Sequence, residues 1–228
     1  METGNETQVI VIAEAPVTGL VKPRLSPPLR PEEAALVSEA ALADTLDVVA
    51  ATPAARRVIA LDGAPGAWLP RGFQVIGQRG GGPDERVSAA FADAHAAVPL
   101  PMVLIGADTP QVTTGMLDDA IASLESGEAD AVFGPATNGG CWLLGLRRPD
   151  RSLLAGVPMS APDAGRVLLE RLAGDGLRVA LAPLLTAVGT FDGAEQVARQ
   201  IPASRFAAAF AAAFTASAQR LENGLIEA

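Results

Sequence analysis

The chain has few of the side chains that enzymes commonly use as bases and nucleophiles. Its 228 residues include one histidine, His95, one cysteine, Cys141, and no tyrosine. A disulfide within the chain and a His-rich or Cys-rich metal site are therefore excluded. A Ser-His-Asp or Cys-His arrangement would have to use His95. From this composition we expect any chemistry to depend on carboxylates, lysine, arginine and backbone N–H groups.

Positive charge is also scarce, with 17 Lys+Arg against 26 Asp+Glu and a formal net charge of −9. This balance argues against a nucleic-acid partner, because phosphate backbones bind to basic surfaces. A local basic pocket for one small phosphate compound remains compatible with it. No apolar run approaches the roughly 20 residues of a membrane span. Residues 1–8 also lack the basic start and apolar stretch of a signal peptide. We therefore expect a cytoplasmic protein with no membrane partner.

The hydrophobic residues, 49% of the chain, alternate between strand-like runs and helix-like stripes. Predicted strands cover residues 9–13, 57–61, 73–76, 102–106, 129–133, 141–146 and 177–181. Predicted helices cover residues 31–51, 84–97, 114–126, 161–173 and 204–221. This alternation favours an α/β fold in which a mostly parallel sheet is flanked by helices. We assign residues 1–200 to that domain and 201–228 to a C-terminal Ala/Phe-rich helix.

Three features are interpreted mainly as packing. Phe206, Phe210 and Phe214 recur four residues apart, which predicts one aromatic face on the last helix. That face would pack on the domain or on a partner subunit, so a homodimer is plausible. Cys141 enters an apolar strand and is interpreted as an inert small hydrophobe. His95 is predicted on a helix, away from the candidate loops.

Two segments that follow predicted strands carry the residue types that phosphate chemistry needs. Ligands of doubly wound sheets bind beyond the carboxyl ends of the strands. After the first strand, Gly19 permits close backbone approach, and Lys22 and Arg24 offer cationic donors. A solvated surface loop is the alternative. Asp108 follows a buried strand, where a carboxylate can hold a divalent metal that bridges phosphate oxygens. Its alternative role is a turn cap.

Two glycine-rich turns are further candidates. Residues 78–82, Gln-Arg-Gly-Gly-Gly, precede a predicted helix, and their N–H groups could surround a base, ribose or phosphate. A flexible loop looks the same. Arg86, one turn into that helix, is either a phosphate ligand or a surface residue. Asn138-Gly139-Gly140 leaves room for substrate beside the backbone, but a plain turn explains the same residues.

Six short motifs follow one another in a recognisable order. They occupy residues 13–25, 78–86, 105–113, 134–146, 156–162 and 187–190. They resemble, respectively, A-K-A-P-V-P-G-R-V-K-T-R-L, Q-R-G-G-G-L-G-E-R, I-G-x-D-T-P-Q-V-T, G-P-A-x-D-G-G-W-W-x-L-G-L, G-V-P-M-S-T-P and D-V-D-T. These patterns are typical of a bacterial family of small glycosyltransferase-A-type transferases, related to guanylyltransferases of the molybdenum cofactor and phospholactate kind. The resemblance covers about residues 8–200.

The resemblance implies a Rossmann-like, glycosyltransferase-A-type sheet and a donor that is a nucleoside triphosphate or a nucleoside-diphosphate sugar. It also implies Mg²⁺ or Mn²⁺, held by Asp108. Asp108 and Lys22 are the implied catalytic residues. The nucleotide and its phosphates would meet Ala13, Gly19, Lys22, Arg24, Gln78, Gly80, Gly81, Gly82 and Arg86. The acceptor would meet Asn138, Gly139, Gly140 and Trp142.

The departures from the family pattern cluster at this implied site. Glu14 stands where the family has lysine, and Asn138 stands where it has aspartate. Cys141 replaces a tryptophan. Ala187 and Gly189 remove both carboxylates of the last motif, which would weaken the metal site because Asp108 alone remains. Asp192, three residues past Gly189, is a possible substitute ligand.

Two functions are compatible with these residues. The first is a nucleotidyl- or glycosyltransferase with altered donor or metal use. The second is a pseudoenzyme or repurposed protein that keeps the fold without the ancestral transfer reaction. This second function is favoured by the four positions at which a charged residue of the family pattern is changed: Glu14, Asn138, Ala187 and Gly189. The retained cations, Asp108 and the glycine loop favour the first.

Overall fold

A computed structural model describes residues 6–17 and 23–226 of the chain, which form one sheet with helices on both of its faces. The strands are β1 (Gln8–Glu14), β2 (Arg56–Asp62), β3 (Phe73–Gly77), β4 (Met102–Gly106), β5 (Ala131–Pro135), β6 (Cys141–Leu146) and β7 (Val179–Leu181). The helices are α1 (Pro31–Ala51), α2 (Pro83–Ala97), α3 (Thr114–Glu125), α4 (Ala164–Gly174), α5 (Phe191–Gln200) and α6 (Arg205–Ile226). Short 3₁₀ turns lie at Pro23–Leu25 and Arg151–Leu153.

The seven strands are arranged in the order β3-β2-β1-β4-β6-β5-β7. β6 runs antiparallel to both of its neighbours, and all the other pairs are parallel. The sequence-based prediction of a mixed, mostly parallel sheet flanked by helices is therefore confirmed. Parallel sheets of this kind are covered on both faces, which is why their central strands are apolar throughout.

Alternate residues of β1 divide between two cores. Val9 and Val11 pack on one face of the sheet with Leu42 and Leu46 of α1. Ile10 packs on the other face with residues of α2 and α4. Because successive strand side chains point to opposite faces, an unbroken apolar run can fill both cores at once. Leu42, Leu46 and Val49 of α1 form the face that this helix buries on the sheet.

Local signals fix the starts of several helices. Pro31 occupies the first turn of α1, and the Arg30 N–H donates to Glu33 Oε2 at 2.8 Å. Thr113 and Thr190 cap α3 and α5 by accepting from the N–H groups of Met116 and Gly193. The sequence prediction missed α5, which has only a few apolar residues. Its place is fixed by the cap and by tertiary packing.

A third apolar cluster joins α6 to the outer face of α1. Phe206 and Phe210 of α6 are buried there with Val37 of α1 and Val197 of α5. Arg220 donates to both carboxylate oxygens of Glu33, at 2.6 and 2.7 Å. This bidentate contact with Arg220 is the largest cause that lowers the pKa of Glu33. The aromatic face of α6 is thus largely used within the chain.

Phe214, the third member of the aromatic stripe, is 48% exposed. It lies next to Phe210 and Phe191, with ring centroids 6.5 and 5.8 Å away. A homodimer through this helix stays a prediction. Within the described residues, no helix is both long and apolar enough to cross a membrane.

Replacing Phe206 with alanine should destabilise the protein by about 3 kcal/mol or more, because a fully buried ring is lost and a cavity is left. The matched change at the half-exposed Phe214 should cost under about 1 kcal/mol. Urea unfolding followed by circular dichroism measures both values. Equal losses for the two variants would contradict the packing of α6 described above.

Candidate functional site

The candidate residues gather at the edge of the sheet where the parallel strands end. β1 is paired with β2 on one side and with β4 on the other, so the strand order reverses between β1 and β4. Successive crossovers then leave on opposite faces, and a crevice opens beyond these two strand ends. Glu14 ends β1, and Asp108 lies two residues after the end of β4.

Asp108 is exposed at this crevice, on a turn whose next residue, Thr109, is buried. The Asp108 carbonyl oxygen accepts a 2.7 Å hydrogen bond from the N–H of Val188. The segment 187–190, which carries the last motif, is therefore held directly beside Asp108. Ala187 and Gly189 flank Val188 and present no carboxylate there.

The Asn138-Gly139-Gly140 turn connects β5 to β6 at the same edge. Asn138 Oδ1 accepts from the Gly140 N–H at 3.0 Å. Gly139 has φ +80°, and a Cβ on it would lie 1.7 Å from the Pro162 carbonyl oxygen. Its carbonyl accepts from the N–H of Gly165 at 2.8 Å. Glycine is required at 139 because the start of α4 presses against the turn.

A cavity of about 160 Å³ lies between these segments. It is lined by Gly106, Asp108, Thr109, Ala136, Asn138, Gly140, Cys141, Trp142, Met159, Ala164, Gly165 and Ala187. Four residues proposed from sequence are thus brought together: Asp108, Asn138, Gly140 and Trp142. Trp142 is also a core residue, because it is buried and its indole N–H donates to the Pro183 carbonyl at 2.8 Å.

The other predicted residues that the structure describes lie outside the lining of this cavity. Gln78 Nε2 donates to the carbonyl oxygens of Ala13, at 2.8 Å, and Ala60, at 3.0 Å. The backbone N–H of Gln78 donates to the Leu61 carbonyl oxygen at 3.0 Å. Gln78 therefore pins the glycine loop to the ends of β1 and β2. The side-chain and backbone N–H groups of Gln78 therefore donate hydrogen bonds within the chain.

The glycine loop is closed by the first turn of α2. The Gly81 N–H donates to Glu85 Oε2 at 2.7 Å. Gly80 has φ +113°, and a Cβ on it would lie 2.5 Å from the Glu85 Cβ. Gly82 caps the helix, whose first turn carries Asp84 and Glu85. A phosphate placed here would face two carboxylates, so this loop suits an uncharged part of a nucleotide better.

Most of the described cations around the crevice are already paired. Arg86 Nη1 lies 2.9 Å from Asp62 Oδ2, and Arg79 Nε lies 2.9 Å from Asp93 Oδ2. Arg24 is exposed in the 3₁₀ turn before α1. Gly19 and Lys22, both predicted phosphate-binding residues, lie outside the described residues.

The acidic groups that the structure describes at the edge do not form a metal cluster. Glu14 pairs in register with Asp62, which places two carboxylate residues on neighbouring strand ends. Among the described residues, no three or more His, Cys, Asp or Glu side chains are grouped so that they could hold a metal ion. Asp192 lies in the first turn of α5 and does not line the cavity.

Several cavity residues were not proposed from sequence. Thr109 and Met159 lie in the motifs at residues 105–113 and 156–162 but were not among the predicted site residues, and Ala164–Gly165 lie within the predicted helix 161–173 and begin α4. Cys141, interpreted as a packing residue, also lines the cavity. His95 lies elsewhere, in a second cavity of about 220 Å³ near Leu146, the end of β6. That end of β6 is at the opposite edge of the sheet.

One protein-family model matches this chain over residues 37–161, which is more than half of its length. The family is described as an uncharacterized protein conserved in bacteria (DUF2064). The chain belongs to the DUF2064 family. The match spans from α1 to the loop before α4 and so includes Asp108 and the Asn138 turn. A search of curated proteins found no match for this DUF2064 member.

Solved structures share the fold of this DUF2064 protein. One, from Desulfovibrio desulfuricans G20, is described as a nucleotide-diphospho-sugar transferase; it is 23% identical, with a TM-score of 0.84 over 94% of this chain and 97% of that chain. A CMP:2-keto-3-deoxy-manno-octonic acid synthetase complexed with CTP is 13% identical, with a TM-score of 0.53 over 84% and 96%. Rv0371c of Mycobacterium tuberculosis H37Rv, complexed with manganese, is 16% identical, with a TM-score of 0.54 over 84% and 97%. At these identities the likeness establishes the shared fold alone.

Cys141 should behave as an unreactive thiol. Burial raises its pKa to about 12, and its Sγ–H donates to the Leu143 carbonyl at 2.8 Å. The reactive thiolate therefore appears only as the pH rises towards 12. At pH 8 the folded protein should react with a disulfide reagent about a thousandfold more slowly than an ordinary thiol. Urea-unfolded protein serves as the fully reactive control. Fast labelling of the folded protein would contradict this assignment.

Proposed function

We propose that this DUF2064 protein is a nucleotidyl- or glycosyltransferase that uses a nucleoside triphosphate or a nucleoside-diphosphate sugar. The observation that carries the proposal is the position of Asp108 at the β1–β4 crevice, beside a cavity closed by the Asn138 turn. Doubly wound sheets bind nucleotides at such a reversal of strand order. The shared fold with structures described as a nucleotide-diphospho-sugar transferase and as a CMP:2-keto-3-deoxy-manno-octonic acid synthetase supports the same class.

In this proposal, the donor lies across the ends of β1 and β2. Lys22 and Arg24 neutralise its phosphates, and the loop around Gly80 and Gly81 contacts the base or ribose. The Asn138 turn faces the acceptor. Since phosphoryl-type transfers depend on charge stabilisation, the catalytic contribution of this chain is to hold the leaving phosphate near its cations.

A divalent cation would be held by Asp108 together with phosphate oxygens of the donor. This fits a site with one carboxylate, because Mg²⁺ commonly binds through one or two carboxylates plus substrate phosphates. When bound, the ion would supply positive charge to the phosphate oxygens. The chain's own part is to hold the turn that carries Asp108, and the hydrogen bond from the Val188 N–H to the Asp108 carbonyl oxygen ties that turn to the segment 187–190.

A binding protein without transfer activity is the second candidate. It is favoured by the pairing of Arg86 with Asp62 and by the Gly81 hydrogen bond to Glu85, which both engage groups expected to contact the nucleotide. Glu14 adds a further negative charge at the same edge. In that case a nucleotide would bind but no group would be transferred.

Isothermal titration calorimetry with nucleoside di- and triphosphates, with and without Mn²⁺, tests the proposal. Binding should be tightened by Mn²⁺, and this enhancement should disappear in Asp108→Ala because the protein's carboxylate ligand is lost. Asp118→Ala, an exposed acid on α3, is the matched control and should bind as the unaltered protein does. If no nucleotide binds under any condition, the transferase proposal fails.

Adding a carboxylate at Gly189 should strengthen metal binding. A Cβ at Gly189 meets no atom within 4 Å, and Val188 beside it is hydrogen-bonded to Asp108. Gly189→Asp should therefore tighten Mn²⁺ binding about tenfold, since affinity follows the number of charged ligands. Gly174→Asp, at another glycine with open space, is the control. Unchanged affinity for Mn²⁺ in Gly189→Asp would show that the last motif lies too far from the ion.

A further inference from the structure

Asp62 ends β2 at the edge of the sheet that carries the crevice, and it lies outside all six sequence motifs. Its side chain is 52% exposed, so a ligand at this edge can reach it. Its backbone is held in place, because the Asp62 carbonyl oxygen accepts a 2.8 Å hydrogen bond from the N–H of Ala15. Gly63 permits this approach, since it has φ +110° and a Cβ on it would lie 2.7 Å from the Ala15 Cβ. Asp62 is therefore an accessible carboxylate on a fixed segment of backbone.

Arg86 of α2 fixes the direction of the Asp62 carboxylate. Arg86 Nη1 donates to Asp62 Oδ2 at 2.9 Å. The second oxygen, Oδ1, has no hydrogen-bond partner among the described residues. An exposed ion pair stabilises a fold by about 1 kcal/mol at most, so the main effect of this pair is on the orientation of the two side chains. With Oδ2 occupied, Oδ1 is the oxygen that a ligand can use.

A carboxylate that is paired with arginine accepts hydrogen bonds but donates none, so its ligand has to be a donor. The phosphates of a nucleotide offer acceptors and negative charge. They would also meet Glu14, which lies in register with Asp62 on β1. The donors of a nucleotide are the hydroxyls of its ribose and the N–H groups of its base. Asp62 therefore suits one of these two parts.

The strand order favours the ribose. The glycine loop follows β3, and the segment that carries Arg24 follows β1. Because β2 lies between β3 and β1 in the sheet, Asp62 lies between these two segments at their common edge. In a nucleotide, the ribose joins the base to the phosphates. With the base at the glycine loop and the phosphates near the cations, the ribose falls at Asp62.

We propose that the Asp62 carboxylate accepts a hydrogen bond from a hydroxyl of the donor's ribose, and that Arg86 positions this carboxylate. The inference rests on the proposed transferase function and adds that its donor is a ribonucleotide. Asp62 is then a specificity-determining residue. Arg86 is a positioning residue that acts through Asp62 and makes no contact with phosphate.

Ribonucleotides and deoxynucleotides test the contact directly. Isothermal titration calorimetry with Mn²⁺ compares ATP, CTP, GTP and UTP with their 2′-deoxy and 3′-deoxy forms. Each comparison keeps the base and the phosphates and removes one hydroxyl. The ribonucleotide that binds most tightly should lose about tenfold in affinity in at least one of its deoxy forms, which is typical of one hydrogen bond to a charged group.

Substitutions at Asp62 should abolish this discrimination. In Asp62→Ala the ratio of the two affinities should fall to about one, even if the released Arg86 changes both affinities together. Asp93→Ala is the matched control, because it also releases an arginine, Arg79, whose Nε lies 2.9 Å from Asp93 Oδ2. It should keep the tenfold ratio. Asp62→Asn preserves the shape of the side chain and should lower the ratio to about threefold, since a neutral acceptor forms a weaker hydrogen bond.

Arg86→Ala separates positioning from phosphate binding. If Arg86 acts through Asp62, the affinity for the ribonucleotide should fall towards that for the deoxy form, while the affinity for the deoxy form changes little. Arg86→Lys retains a cation near Asp62 and should restore part of the ratio. A phosphate ligand would instead weaken the binding of both forms equally, and that result would overturn the role given to Arg86.

Equal binding of the ribonucleotides and both of their deoxy forms by the unaltered protein would overturn the inference and leave the transferase proposal standing. A tenfold ratio that persists in Asp62→Ala and Asp62→Asn, both shown to be folded by circular dichroism, would also overturn it. Loss of a base preference in Asp62→Ala without any effect of the hydroxyls would assign Asp62 to the base instead. If no nucleotide binds, the transferase proposal fails and this inference fails with it.

Discussion

The parallel pairing of β1 with both β2 and β4 is the constraint on which the rest of the structure depends. β1 lies in register with β2 along its whole length and with β4 from Gln8 to Ile12. Because all three strands point the same way, the segments that follow them meet at one edge. Glu14, Asp62 and Asp108, far apart in sequence, come to the same edge of the sheet for this reason. The antiparallel β6 then brings the Asn138 turn to the same edge.

The sequence was sufficient to predict the sheet because its central strands are buried on both faces. Runs such as residues 102–106 have no polar alternation, which distinguishes them from half-exposed strands. The α5 helix was missed because FDGAEQVARQ is short and has only a few apolar residues to mark a buried face. It is stabilised by the Thr190 cap and by burying Ala194 and Val197 in the cluster shared with α6, and these contacts are not visible in a local pattern.

The sequence predicted the location of a candidate site residue only where that residue directly follows a strand. Asp108 and the Asn138 turn follow strands directly, so their placement at the edge could be inferred. The pairing of Arg86 with Asp62 depends on how α2 is docked beside β2, and a motif gives no information about this. The same holds for Thr109 and Met159, which become cavity walls only after α4 folds against the β5–β6 turn.

The two halves of the edge differ in a way that bears on whether a ligand binds at all. Around β2 and α2, Arg86, Gly81 and Gln78 are engaged within the chain, so the fold of that half does not require a ligand. Around β4 and β6, a buried Thr109 hydroxyl is left without a partner in the described structure, next to an open cavity. Valine would fill the same space at lower cost, so fold stability alone does not account for threonine here. Local features that fold stability does not explain are expected at functional sites. The cavity beside β4 and β6 is therefore the better candidate for a binding site. The charge pairs near β2 engage groups that would otherwise contact the donor, so they affect which donor can bind.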